Sequence, residues 1–142
     1  MLRPAITPAT FNQRQQGSLP ALLGIEVVAL AEGTISLAME VRAHHMAPNG
    51  YLHAASVVAL ADTAAGYGCG AHLPNGAQGF TTIELKSNFL GTARSGRIVA
   101  EAVLVHGGRS TQLWDAIVRD EAGKTIALFR CTQMLLWPRA SA

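Results

Sequence analysis

One long helical segment stands among segments with the character of β-strands, and this limits the folds open to the chain. His53–Cys69 is rich in Ala, Val, Leu and Ser and is the only candidate for a long helix. Two strand-like segments precede it and four follow it: Ile25–Ala31 and Thr34–Val41, then Phe80–Phe89, Arg97–His106, Ser110–Arg119 and Lys124–Trp137. Because helices and strands do not alternate, this order predicts an α+β fold rather than a parallel sheet. The strands are expected to form an antiparallel sheet wrapped around the helix.

Turn residues and periodicity place the segment boundaries. Thr34–Val41 alternates apolar and polar residues with a period of two, and the preceding Glu32-Gly33 predicts a hairpin to the strand before it. Two short helices, Thr10–Gln16 and Leu19–Leu23, are expected near the start of the chain. The sequence contains no linker, repeat or low-complexity segment, so we expect one domain over residues 1–142 with a core of about 19–137.

The composition is apolar for a chain of 142 residues, with 49% hydrophobic and 14% charged residues. The helix candidates contain Ala and Gly rather than Lys and Glu, which predicts that some surface is buried against another copy of the chain. Several large apolar residues are expected in the core rather than in a pocket: Leu22, Leu23, Phe89, Leu90 and Trp114.

The charge pattern and the cysteines narrow the partners and the compartment. The basic residues are scattered, which argues against nucleic-acid binding. No segment offers about 20 consecutive apolar residues for a membrane span, and Met1–Gln16 lacks the features of a secretory signal. Two cysteines, Cys69 and Cys131, do not suggest a disulfide framework, so the cytoplasm is the expected location.

Asp62 is the unusual residue of the long helix. The residues three and four positions away are Val58, Ala59, Ala65 and Gly66, and none of them can pair with a carboxylate. Poor solvation should raise the pKa of Asp62, and such a carboxylate is a candidate general base or nucleophile. A purely structural role, bonding backbone or Thr63 at a dimer interface, is the alternative.

The start of the same helix supplies candidate donors for a carbonyl oxygen. The backbone N–H groups near Ala54 and Ala55 belong to the first helical turn, which has no internal partners. Ala55 and Asp62 are seven residues apart and share a helix face, so a thioester could bridge a span of roughly 10 Å. His53 lies nearly opposite Asp62 around the helix, which argues for a capping role rather than a His–Asp dyad.

These residues resemble the hotdog-fold acyl-CoA thioesterases, especially the branch that includes the phenylacetate-pathway enzyme. The resemblance covers roughly Leu19 to Leu136. Its motifs are Asn49-Gly50-Tyr51-Leu52-His53, Leu60-Ala61-Asp62-Thr63-Ala64, the Thr81–Leu90 segment, Gly108-Arg109-Ser110 and the Asp120–Lys124 turn. It implies a hotdog fold and hydrolysis of an aryl- or short- to medium-chain acyl-CoA. It also implies a homodimer joined at the sheet edges, with dimers pairing into tetramers.

The resemblance also implies residue roles. Asp62 would be the catalytic acid, the Ala55 N–H would polarise the carbonyl, His53 would lie in the loop before the helix, and Thr82 matches a Ser or Thr that the family often places near the acid from the neighbouring subunit. Arg109 and Ser110 match positions near the CoA phosphates or pantetheine. The remaining residues expected to contact substrate are Asn49, Gly50, Ala54, Thr63 and Gly108. No cofactor and no metal are expected, since CoA is part of the substrate.

Two departures keep other functions open. The family usually has His-Gly-Gly where this chain has His53-Ala54-Ala55, and many members carry Asn or Gln at the position of Ala47. A non-catalytic acyl-CoA-binding protein is therefore an alternative, and an enoyl-CoA hydratase or dehydratase is a further one.

Three short motifs carry less weight. The glycine run Gly66–Gly70 ends a helix, whereas a nucleotide-binding glycine loop links a strand to a helix. Cys69 is expected to be buried and inert, and His44-His45 lacks further metal ligands.

Overall fold

The computed structural model describes residues 1–138 and contains the predicted elements in the predicted order. Residues 139–142 lie outside the described part. The helices are α1 (Pro8–Arg14), α2 (Leu19–Leu22) and α3 (Ala54–Ala71), with a 3₁₀ turn at Ala43–His45; the strands are β1 (Glu26–Ala31), β2 (Thr34–Glu40), β3 (Gly79–Phe89), β4 (Arg97–Gly107), β5 (Thr111–Arg119) and β6 (Thr125–Leu136).

The six strands form one antiparallel sheet in the order β1-β2-β4-β5-β6-β3, and α3 packs against one face of it. Residues of β5 alternate strictly between buried and half-buried, as expected for a strand with one face on a core. This arrangement confirms the predicted α+β hotdog architecture. None of the helices in residues 1–138 combines the length and the apolar character needed to cross a membrane.

The glycine run at the end of α3 serves the contact between helix and sheet. Trp114 of β5 is fully buried, and a Cβ atom added to Gly68 would lie 2.7 Å from its ring. Cβ atoms at Gly66 and Gly70 would lie 3.4 Å from the Phe80 ring. The close approach of the helix to Trp114 therefore requires a glycine at position 68, whereas Cβ atoms at positions 66 and 70 would only touch the Phe80 ring.

The expected core residues divide into two groups. Trp114 is buried and Leu23 packs partly against the core, as predicted. The prediction is wrong for Leu22, Phe89 and Leu90, which are 76%, 47% and 58% exposed in the single chain. Leu22 lies on the short surface helix α2, whereas Phe89 and Leu90 lie at the end of the edge strand β3.

The two edges of the sheet differ in how they are protected. The side chain of Asn12 in α1 donates to the Val27 carbonyl and accepts from the Val27 N–H, and Gln15 donates to the Ile25 carbonyl. These bonds cover the start of the β1 edge. The other edge, β3, is 11 residues long, pairs within residues 1–138 with β6 alone, and exposes Ile83 and Leu85. An open apolar edge of this length is a surface suited to pairing with another strand.

Candidate active site

Asp62 lies at the middle of α3, where the helix faces the beginning of β3. It is half-buried, and its neighbours along the helix, Ala61 and Ala65, are fully buried. Burial raises the pKa of Asp62 above the usual carboxyl value, and a hydrogen bond from Thr82 offsets only part of that rise. The structure thus confirms the poorly solvated carboxylate that the sequence predicts.

Thr82 is the partner of Asp62, but only weakly. Its Oγ1 lies 3.5 Å from Asp62 Oδ1 and 3.0 Å from Oε1 of Gln133, a fully buried residue of β6. A hydroxyl has one proton to donate, and the shorter distance favours Gln133. The Asp62 carboxylate therefore receives no strong hydrogen bond from Thr82. The contact lies within one chain, whereas the resemblance implied a partner from the neighbouring subunit.

Gln133 is a site residue that the sequence did not reveal. Its Nε2 donates to the Sγ of Cys131, which directs the amide oxygen to Thr82. Burial raises the pKa of Cys131 and Cys69 to about 12, so both thiols stay protonated at neutral pH. This agrees with an inert Cys69. A polar residue at an inward position of β6 was the available indication of Gln133.

His53 caps the start of α3, as the sequence suggested. Its Nδ1 accepts a hydrogen bond of 2.9 Å from the Ala55 N–H. Because Nδ1 is the acceptor, the neutral ring carries its proton on Nε2, and the residue is exposed. The Ala55 N–H, which we expected to be free for a carbonyl, is thus already paired.

The free donor lies one residue earlier. The N–H groups of Ser56 and Val57 donate to the His53 carbonyl, and that of Ala55 to the His53 ring. The Ala54 N–H has no acceptor among the described residues, and Ala54 is exposed. The structure therefore moves the candidate carbonyl donor from Ala55 to Ala54.

The loop before α3 is fixed by several hydrogen bonds. The His45 carbonyl accepts from the His53 N–H and from the Ser56 hydroxyl. Asn49 accepts from the Tyr51 N–H within its own turn, and Gly50 takes a φ of 79°. Asn49 and Gly50 therefore shape the loop, and their predicted contact with substrate stays a prediction, as does that of the half-buried Thr63.

Asp62 and the free donor are too far apart for one carbonyl to contact both within a single chain. Eight residues separate Ala54 from Asp62, which is roughly 12 Å along the helix axis. A carbonyl attacked by one group and bonded to another donor spans about 8 Å at most between them. The bridge across one helix that the sequence suggested is therefore not formed by direct contacts.

The segment Gly108-Arg109-Ser110 lies in the hairpin between β4 and β5. Gln112, just after it, donates to the carbonyl of His72, the last cap residue of α3, and Trp137 donates to the Arg109 carbonyl. This hairpin is therefore at the opposite end of α3 from Ala54, across a helix of 18 residues or roughly 27 Å. One chain does not bring Arg109 and Ala54 together.

The comparisons with known proteins agree with this architecture. The sequence profile of the thioesterase superfamily matches residues 49–127. The chain is 33% identical to a 1,4-dihydroxy-2-naphthoyl-CoA hydrolase of Listeria monocytogenes, over 80% of this chain and 92% of that protein. The crystal structure of thioesterase HI1161 from Haemophilus influenzae superposes with a TM-score of 0.91 at 29% identity, covering 98% and 96% of the two chains.

A third comparison concerns the branch that the sequence motifs indicated. A mutant of the phenylacetic acid degradation protein PaaI from Thermus thermophilus is similar with a TM-score of 0.75 and 31% identity, over 82% of this chain and 97% of that one. The family profile alone spans more than half of the chain, including Asp62, the α3 start and β3. The chain belongs to the thioesterase superfamily.

Proposed function

We propose that this protein hydrolyses acyl-CoA thioesters to a free acid and CoA, with Asp62 as general base or nucleophile. The observation that carries the proposal is a half-buried carboxylate with a raised pKa and one weak hydrogen bond, on the central helix of a thioesterase-superfamily fold. An aryl- or short- to medium-chain acyl group is the proposed substrate, supported by the similarity to a naphthoyl-CoA hydrolase.

The chemistry follows from the position of the carboxylate. As a base, Asp62 removes a proton from water while the water oxygen attacks the thioester carbon; the C–S bond then breaks and CoA leaves as a thiol after taking up the proton. As a nucleophile, the Asp62 carboxylate attacks the thioester carbon, the C–S bond breaks and CoA leaves as a thiolate that takes up a proton from solvent. Water then hydrolyses the resulting mixed anhydride, which releases the free acid and restores the Asp62 carboxylate. Thr82, whose hydroxyl donates to Gln133, would accept a hydrogen bond from that water and so orient it in either route.

A second copy of the chain would complete the site through β3. Since α1 bonds to the start of the β1 edge at Val27, the 11-residue β3 is the longer free edge of the described sheet. Two β3 strands paired antiparallel around a two-fold axis extend the sheet and set the two α3 helices antiparallel. The exposed side chains of Leu85 and Phe89, which pair with inward-facing residues of β6, then gain a covering surface.

The dimer would also allow one carbonyl to contact both Asp62 and an Ala54 N–H, which are too far apart within one chain. The Ala54 N–H of one subunit can approach the Asp62 of the other, since the 12 Å separation applies only within one helix. The proton on His53 Nε2 lies at the same helix end and offers a second donor. In the proposed dimer the hairpin of one subunit, with Arg109 and Ser110, would lie near the Ala54 end of its partner, where CoA would enter.

The direct test is release of free thiol from aryl, short and medium acyl-CoAs, followed with a thiol reagent. We expect turnover of at least one class. CoA binding without any turnover would favour a non-catalytic acyl-CoA-binding protein. Hydration of an enoyl-CoA in place of thiol release would favour the alternative that the protein is an enoyl-CoA hydratase. Either result would overturn the proposal.

The dimer makes a separate prediction about Leu85. Leu85→Arg places a charge in the proposed interface and is expected to yield monomers with kcat/KM lowered at least about 100-fold, as for loss of a carbonyl donor. Leu128→Arg is the control, because Leu128 is 43% exposed, close to the 42% of Leu85, but lies on β6 away from the free edge. Light scattering gives the mass and thiol release the rate. A fully active Leu85→Arg monomer would contradict the shared site.

A further inference from the structure

A cleft beside the proposed site contains cations that the thioesterase chemistry does not use. It lies between α1, the second half of α3 and the start of β3, and has a volume of about 510 Å³. Its wall includes Gly66, four residues after Asp62 and so one helical turn away, at roughly 6 Å along the axis. The cleft therefore begins next to the catalytic carboxylate.

The body of the cleft is apolar and aromatic. The rings of Phe11 and Tyr67 are stacked with centroids 4.5 Å apart, and Phe80 lies against the bare backbone of Gly66. The Tyr67 hydroxyl donates to Gln15, which turns its polar atom toward α1. Such walls suit the hydrocarbon or aryl part of an acyl group.

The cleft is also lined by Arg3 and Arg14 and by no Asp or Glu among the described residues. Neither guanidinium forms an ion pair within residues 1–138. Arg3 donates from Nε and Nη2 to the carbonyls of Leu73 and Ala77, which fixes its position and leaves its Nη1 free. Two cations at the wall of an apolar cleft, without a protein carboxylate, suit an anionic group on the ligand.

The fold sets the distance of these cations from the reacting carbonyl. The Arg3 backbone N–H donates to the carbonyl of Ala71, nine residues after Asp62 and roughly 13 Å along the helix. Arg14 lies one turn of α1 after Phe11, whose ring stacks on Tyr67. An anion bound beside Arg3, at about this distance from Asp62, is at the far end of a medium-length acyl group.

From this arrangement we infer that the cleft accepts acyl groups that carry a carboxylate at the end remote from the thioester, bound by Arg14 and Arg3. The inference rests on the proposed function and specifies its substrate class: a monothioester of CoA with a dicarboxylic acid that has an apolar middle. The guanidinium groups would hold the second carboxylate while Phe11, Tyr67 and Phe80 enclose the chain.

The experiment compares decanoyl-CoA with its ω-carboxylated counterpart, sebacoyl-CoA. The wild type is expected to favour sebacoyl-CoA in kcat/KM by about 10-fold or more, as for a charge-assisted bond. Arg14→Gln and Arg3→Gln should each reduce this ratio several-fold. Arg119→Gln is the control, because Arg119 pairs with Glu101 on the sheet and should keep the wild-type ratio.

The outcomes separate the inference from the proposed function. Turnover without preference for sebacoyl-CoA, or equal losses for both substrates in Arg14→Gln, would overturn the inference and leave the thioesterase function standing. If neither substrate is hydrolysed, calorimetry with the two non-hydrolysable S-alkyl-CoA analogues decides. Tighter binding of the carboxylated analogue, lost in Arg14→Gln, supports the cleft assignment, and equal binding overturns it.

Discussion

Asp62→Asn is expected to lower kcat for thioester hydrolysis by about 10²- to 10⁴-fold, the range for loss of a positioned general base. Asparagine keeps the shape of the side chain and its contact with Thr82, so the fold and the substrate affinity should remain. The amide can neither accept the proton of water nor attack the thioester. Steady-state kinetics on the best acyl-CoA measures the effect.

The same substitution should stabilise the folded protein at neutral pH. Burial raises the pKa of Asp62 above its usual value of 3.8. The folded state therefore favours the protonated carboxyl, and this contribution is present below pH 3.8 and lost as the pH rises through the raised value. At pH 7 the ionised Asp62 opposes folding, so Asp62→Asn should raise the Tm there, with a smaller gain near pH 4.

Asp115→Asn is the matched control for Asp62→Asn. Asp115 pairs with Arg130 on the sheet, where the carboxylate is accessible to solvent, so its loss should leave kcat unchanged.

The rate of thioester hydrolysis by the wild type should fall as the pH drops through the raised pKa of Asp62, since the base must be ionised. Full activity of Asp62→Asn at neutral pH would refute the assignment.

The architecture could be predicted from the sequence because each element carries its own local pattern. The period of two in β2 and the breaker-poor composition of α3 are set by neighbours in the chain. The isolation of Asp62 was likewise visible, since its helical neighbours three and four positions away are known from the sequence alone. These features require no knowledge of which strands pair.

The remaining features depend on contacts between distant segments or copies. Gln133 reaches Thr82 only because β6 pairs with β3 in one register. Whether the N–H of Ala54 or that of Ala55 is the free donor depends on the rotamer of the His53 ring, because that ring accepts the hydrogen bond from the Ala55 N–H. The assignment of Phe89 to the core is wrong for a related reason, since an apolar residue type does not show whether its side chain is buried inside the chain or lies on its surface, where the proposed dimer would cover it.

Ala54→Pro tests the carbonyl donor with little disturbance of the helix. Ala54 is the first residue of α3, where proline is favoured, and His53 has φ −64° and ψ 134°, which suit a residue before proline. Proline removes only the N–H, so kcat is expected to fall about 10²- to 10³-fold. Ala54→Ser keeps the N–H and should retain the rate. An active, folded Ala54→Pro enzyme would exclude this donor.

A mixed dimer of the two inactive variants decides whether the donor and the acid come from different subunits. With Ala54→Pro in one subunit and Asp62→Asn in the other, a shared site would combine the intact Asp62 of the first with the intact Ala54 N–H of the second. The other site would lack both groups. Co-expression with two affinity tags should therefore give a mixed dimer with about half the wild-type activity. A site built within one chain lacks one group in each subunit, so a mixed dimer as inactive as its parents would place the donor and Asp62 in the same subunit.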